Sequence, residues 1–294
     1  MDRLVRLVNP VTVLIAVGIL IVTVACTNGA SASKETTSAP KETTSSHEIK
    51  VGGLARSWEQ LSPGGAGSDA SPIIVVLSGR NATTSQEISR DGLVPLVSAG
   101  SAELVYPAGI GKSWNAGGCC GKAAQEHVND VAFLKALVEM VDPGHSRPIY
   151  LSGYSNGGRM AYRMACTDPR LFDAMAVVKA MPDPGCSVIQ PVNFLQIDST
   201  DDPRVPYRPG DPGLESPAAT TEVARLRSAD GTPQQARVVS RGSLQLQTWS
   251  NGKQGTRLAF AIYNGGRHSW PEGDATTPSA ADVVWNFLSG ATLR

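Results

Sequence analysis

The sequence predicts an α/β fold, a mostly parallel central sheet with helices on both faces. Three observations lead there. Short apolar, β-branched runs such as Ile73 to Leu77 recur along the chain, as expected of strands covered on both sides. Stretches of helical period alternate with them, which implies crossover connections and parallel pairing. The run Pro148 to Ser152 leads directly into Gly153-Tyr154-Ser155-Asn156-Gly157, a G-x-S-x-G pentapeptide where a strand should turn into a helix.

The elements follow in order. Glu48 to Gly53 and Leu54 to Leu61 read as an opening pair of strands. Ile73 to Leu77 is a buried strand, and Thr84 to Ser98 has helical character. Ala102 to Tyr106 is a strand ending at Pro107. Ala123 to Val141 carries the clearest apolar stripe, from Val128, Val131, Leu134, Leu137 and Val138, and predicts one long helix. Arg147 to Ser152 is the strand before the pentapeptide, and Asn156 to Cys166 the helix after it. Met175 to Ala180, Val192 to Ile197 and Arg257 to Tyr263 are further buried strands. Ala280 to Leu288 closes the domain as a helix.

The ends have a different character. Arg3 and Arg6 precede an uncharged apolar stretch from Val11 to Val24, the pattern of an export signal over residues 1 to 25. Cys26 follows Ala25 as in a bacterial lipobox, so Cys26 is the candidate lipidation site. Residues 26 to 47 are rich in Ser, Thr, Lys and Glu and hold little that is apolar. Such a segment cannot offset its ordering entropy by burial, and reads as a flexible tether. The expectation is a domain over 48 to 294, exported and either lipid-anchored at the outer face of the cytoplasmic membrane or secreted.

The chain has 294 residues, 41% hydrophobic and 18% charged, with zero formal net charge. That balance gives no basic surface for nucleic acid. Beyond Cys26 there are four cysteines, Cys119, Cys120, Cys166 and Cys186, an even number that suits two disulfides in an exported protein. A vicinal bond strains the chain, so cross-links from Cys119 and Cys120 to Cys166 and Cys186 are expected. No Cys/His spacing suits zinc, and no metal or cofactor is expected. A monomer is expected.

A G-x-S-x-G match arises by chance in about one chain in four of this length, and a serine there also serves as a plain helix cap. The chemistry therefore has to be assembled. A serine hydroxyl needs a base, in most cases histidine. His47 lies in the tether, His127 on the long helix, and His145 in a turn at the opposite end of the sheet. His268 alone follows a strand at the carboxyl edge, on the glycine-rich loop Gly265-Gly266-Arg267-His268, where α/β proteins gather reactive groups. The base needs an acid. Asp198, Asp201 and Asp202 all lie at or beyond the end of the strand Val192 to Ile197, and position leaves the choice open. The order Ser, Asp, His is that of α/β-hydrolases.

Five segments carry a more specific likeness: Ser113 to Gly121, Asn129 to Leu134, Gly153 to Gly158, Thr200 to Tyr207 and Gly266 to Pro271. In that order and spacing the chain resembles the secreted esterases grouped with poly(3-hydroxybutyrate) depolymerases and feruloyl esterases, over roughly residues 48 to 290. The resemblance implies an α/β-hydrolase fold with Asp202 as the acid, and a Trp114 to Gly121 loop near the site. It implies a serine hydrolase acting on carboxylic esters: polyhydroxyalkanoate, feruloyl, acetyl or short acyl esters. Backbone N–H groups of Asn156 and Arg80 are the expected oxyanion donors, and Trp114 and Trp270 the expected substrate-stacking aromatics. Where relatives carry His-Gly, this chain has Ser78-Gly79. Two alternatives remain at this level: a surface-exposed binding lipoprotein with the same fold, or an acyltransferase or peptidase-like member of it.

Overall fold

The structure is a computed structural model that describes residues 42–64, 70–186, 190–233 and 235–291. All of them lie in one of the chain's two compact units, Ser38–Arg294. The expected signal, Cys26 and most of the tether lie outside the described residues. Among the described residues no helix is long and apolar enough to cross a membrane.

Ten strands form one sheet in the order β1-β2-β4-β3-β5-β6-β7-β10-β9-β8. They are β1 (Thr43–Val51), β2 (Leu54–Ser62), β3 (Ile73–Leu77), β4 (Glu103–Pro107) and β5 (Ile149–Tyr154). The second half is β6 (Ala174–Val178), β7 (Phe194–Ser199), β8 (Arg237–Arg241), β9 (Leu244–Trp249) and β10 (Leu258–Tyr263). The six central strands, from β4 to β10, pair in parallel. Antiparallel strands extend both edges.

The central strands are buried along their whole length. Their side chains alternate between two cores, because successive residues of a strand point to opposite faces. Ile73, Val75 and Leu77 face a core shared with α4 (Asp130–Val141), α5 (Asn156–Thr167) and α6 (Ala219–Asp230). Ile74 and Val76 face the other, shared with α2 (Pro95–Ser98) and α7 (Ala280–Leu288). Covered faces explain why these strands read as unbroken apolar runs.

The chain visits β3, then β4 on one side, then β5 on the other. The carboxyl ends of β3 and β5 are neighbours, as are those of β7 and β10. The loops that leave these four strands carry every candidate catalytic residue.

Three expectations change. The domain begins before residue 48: Thr43 already pairs with Ser62, and His47 lies in β1, stacked on Trp58 at 5.1 Å. This strand is held by its ladder and not by burial, so composition cannot detect it. The two strands meet at Gly52-Gly53, both at positive φ (58° and 86°), which suits a two-residue hairpin turn.

The helix expected over Ala123 to Val141 is broken into α3 (Gly121–Gln125) and α4. His127 adopts φ 51° between them, and the Asn129 side chain caps α4 by accepting from the Ala132 N–H at 3.0 Å. The stretch Thr84 to Ser98 divides likewise into α1 (Thr84–Ile88) and α2, with Gly92 at φ 75° between them and Pro95 opening the second.

Three elements went unforeseen. α6 buries only a thin stripe, Val223 and Leu226 among it. β8 is an exposed edge strand, and β9 pairs with it across Gly242.

Candidate active site

Ser155 stands between β5 and α5 at φ 52° and ψ −116°, a backbone conformation that L-residues avoid. The chain tolerates it because the surroundings leave no alternative. The Ser155 N–H donates to Val178 O at 2.9 Å, and Ser155 O accepts from the Arg159 N–H at 2.9 Å. A Cβ at Gly153 would collide with the Gly157 carbonyl, and one at Gly157 with the Leu77 carbonyl. The two glycines let β5, α5 and β3 approach closely enough to drive the serine out of the sheet.

His268 follows β10, and its Nε2 lies 2.9 Å from Ser155 Oγ. On the other side, Nδ1 lies 3.0 Å from Asp202 Oδ2 and 3.2 Å from Oδ1. An ionised carboxylate only accepts, so Nδ1 carries the proton and donates it there. That tautomer leaves Nε2 free to accept from the serine hydroxyl.

Of the three aspartates, Asp202 meets the imidazole. Its Oδ1 also accepts from the N–H groups of Arg204 at 2.8 Å and Val205 at 3.1 Å. Burial works to raise this carboxyl, but the hydrogen bond and charge of His268 with these two amides outweigh it, and Asp202 is held below the usual carboxylate range. Asp198 points elsewhere. It is fully buried and accepts from Gln196 Nε2 at 2.7 Å, and burial pushes it well above the usual range. Asp201 is exposed and accepts from Thr200 Oγ1. His127 and His145 are both exposed, on loops outside this cluster.

Asn156 is the first residue of α5, so its N–H is one of the unpaired donors of a helix start. Its side chain is locked to the loop behind: Oδ1 accepts from the Trp114 N–H at 2.7 Å and Nδ2 donates to Trp114 O at 3.0 Å. In the loop after β3, the Gly79 N–H donates to Glu87 Oε2 at 3.3 Å and the Asn81 N–H to Lys112 O at 2.8 Å. The N–H of Arg80, between them, has no partner among the described residues. The change to Ser78 leaves this loop well tied, because Ser78 O accepts from Trp114 Nε1 at 3.0 Å.

The two tryptophans do not line a substrate surface. Trp114 is fully buried and stacks on Phe133. Trp270 is 4% exposed and donates from Nε1 to Glu87 Oε1 at 2.9 Å. Both pack loops together, because each indole N–H finds its acceptor inside the protein. The Trp114 loop does lie beside the site, as its bonds to Asn156 require.

The cysteines pair differently from expectation. Cys119 bonds to Cys120, and Cys166 to Cys186. Cys166 lies near the end of α5, and Cys186 Sγ contacts Tyr162 O on the same helix, so these two meet locally with Cα atoms 5.8 Å apart. The Cys119–Cys120 loop is held to the segment after β6 through Asp183 Oδ2, which accepts from the Gly118 N–H at 2.8 Å.

Several contributors were not foreseen. Buried Glu87 joins three parts of the site, accepting from Gly79, Trp270 and Arg90. Tyr154, inside the pentapeptide, donates its hydroxyl to His268 O at 2.7 Å and so steadies the histidine loop. Lys179 is fully buried, with Nζ 3.6 Å from Asp202 Oδ2. Its only signal in the sequence is a lysine at the end of an apolar strand. Among the described residues, no group of three His, Cys, Asp or Glu side chains suits a metal ion.

No protein-family model matches the chain. An esterase named NocK, from Nocardia uniformis, is 29% identical over 282 residues, covering 86% of this chain and 79% of the relative. Feruloyl esterase C of Emericella nidulans is 29% identical over 196 residues, covering 65% and 66%. An acetyl xylan esterase from Aspergillus awamori superposes with TM-score 0.59 at 13% identity, covering 84% of this chain and all of that one. The chain is an esterase of the α/β-hydrolase fold. A feruloyl esterase module from Clostridium thermocellum superposes on this esterase with TM-score 0.52 at 13% identity, covering 78% of the chain and 82% of the module. At such identities the superpositions speak for the fold alone.

Proposed function

We propose that this esterase cleaves carboxylic esters through a covalent acyl-enzyme on Ser155, with His268 as base and Asp202 as its acid partner. The observation that carries the proposal is the position of His268, 2.9 Å from Ser155 Oγ and 3.0 Å from Asp202 Oδ2. Nε2 takes the serine proton as Oγ attacks the ester carbonyl. Charge develops on the carbonyl oxygen, where the N–H groups of Asn156 and Arg80 donate to it. The imidazolium, stabilised by Asp202, then gives its proton to the leaving alcohol. Water enters, His268 removes a proton from it, and the acid is released as Ser155 regains its hydrogen.

The acyl group is proposed to be feruloyl, acetyl or another small acyl group carried on a sugar alcohol. The support is the company of a feruloyl esterase C among its sequence relatives. Export is proposed from two disulfides, which persist in oxidising compartments. Lipid attachment at Cys26 is proposed from the lipobox pattern alone.

The test compares hydrolysis of methyl ferulate and of aryl acetate by the wild-type domain and by Ser155→Ala. Turnover of either ester that falls by several orders of magnitude in a folded mutant supports the proposal. Turnover kept by the mutant removes Ser155 from the role.

A further inference from the structure

We infer that Lys179 is a positioning residue for hydrolysis, a buried ammonium that keeps Asp202 charged and ties the His268 loop to the sheet. The inference rests on the roles proposed above for Ser155, His268 and Asp202. Lys179 follows β6 at φ 56°, and its N–H donates to Ile197 O at 2.9 Å. That backbone conformation turns the side chain under the carboxyl ends of β7 and β10. Nζ donates to Ser199 Oγ and, at 3.0 Å, to Arg267 O, the residue before His268. Its third neighbour is Asp202 Oδ2, 3.6 Å away. Three acceptors around one nitrogen suit an ammonium, which has three donors and no lone pair.

The environment makes this lysine costly. Both it and Asp202 are fully withdrawn from water at the side chain. Lysine is rarely buried so completely, and a charge there is tolerated only when paired. Burial pushes the ammonium below its ordinary range, while Asp202 and Asp198 oppose that shift. A methionine would fill the same space without that cost, so packing alone does not account for the residue.

The charge has a direct effect on the neighbouring pair. A cation at Oδ2 favours the ionised form of Asp202 and disfavours protonation of the imidazole beyond it. The base then stays neutral, and therefore usable, to lower pH. The other titratable groups around this cluster are buried Asp198, Glu215, ion-paired with Arg159, and the guanidinium group of Arg204. On the far side of His268 stand Tyr154 and, behind it, Arg90 with Glu87. None of these touches Asp202 by its side chain, whereas Lys179 does.

The experiment is the pH profile of kcat/KM for Lys179→Met, Lys179→Gln and Lys179→Arg beside wild type. The neutral variants should move the acid limb upward by about one pH unit. They should also lower kcat more than they raise KM. Lys179→Arg should leave the limb where it is in wild type, whatever its effect on turnover. Fluorophosphonate labelling and thermal melting check that each variant is folded. Glutamine can still reach Ser199 and Arg267 O, so it serves if the methionine variant does not fold. A folded neutral variant with an unmoved acid limb overturns the inference, whether its turnover is kept or lost. Ser155→Ala, run alongside, separates the two levels. If it is inactive and the limb is unmoved, only the role of Lys179 falls. If it is active, the proposed machinery and the inference fall together.

Discussion

At the scale of single residues, the aspartates after β7 show how chemistry separates groups that spacing cannot. Asp198 ends inside the strand, with one oxygen held by Gln196. Asp202 lies four residues further, where a turn offers it two backbone N–H groups and the imidazole. Asp202→Asn should therefore lower kcat by about four orders of magnitude, because an amide no longer fixes the base in the needed tautomer. Asp198→Asn should keep most of the activity, since it touches neither Ser155 nor His268. Equal losses measured for both would contradict the assignment. His268 was legible by elimination, because only one histidine follows a strand at the correct edge. Asp202 needed a family likeness, and Lys179 and Glu87 had no motif to mark them. Their roles come from partners distant in sequence, such as Arg267 for Lys179 and Trp270 for Glu87.

At the scale of elements, what was legible followed from burial. β3 and α7 stand where the sequence places them, because apolar runs and stripes mark buried faces. β1 was invisible because its residues are mostly exposed and its stability lies in a backbone ladder. The tryptophans deceived for a related reason, since an aromatic in a loop beside a site reads the same whether it packs inward or faces a ligand. The Cys166–Cys186 bond closes a loop of 20 residues that runs from the end of α5 through β6. Replacing both cysteines by alanine should cost about 3 kcal/mol of stability in chain-entropy terms. Urea unfolding measures it, and a change near zero would mean that α5 and its following loop are held by packing alone.

At the scale of the whole molecule, two cores on either side of one sheet hold four loop-bearing strand ends in register. That division left one carboxyl in an unfavourable place, beside Glu87 and Arg90. Asp91 is 2% exposed, and burial pushes it up to about 7, although the Leu93 N–H donates to it. Its unfolded value is about 3.9. The folded state thus holds the proton more tightly, so its contribution to stability is complete below about pH 3.9 and is lost as pH rises through about 7. Asp91→Asn should remove that loss and raise the melting temperature at pH 8 relative to wild type, with little difference at pH 4. Parallel melting curves for the two proteins across this range would contradict the account.

The central claim is that Ser155 is the nucleophile, driven by His268. The most direct measurement is peptide mapping of the wild-type domain after reaction with a fluorophosphonate probe, beside Ser155→Ala and His268→Ala. The account predicts a single phosphonyl adduct on the peptide holding Ser155, absent from the serine mutant and formed far more slowly in the histidine mutant. An adduct on another residue, or labelling that persists in Ser155→Ala, would contradict it.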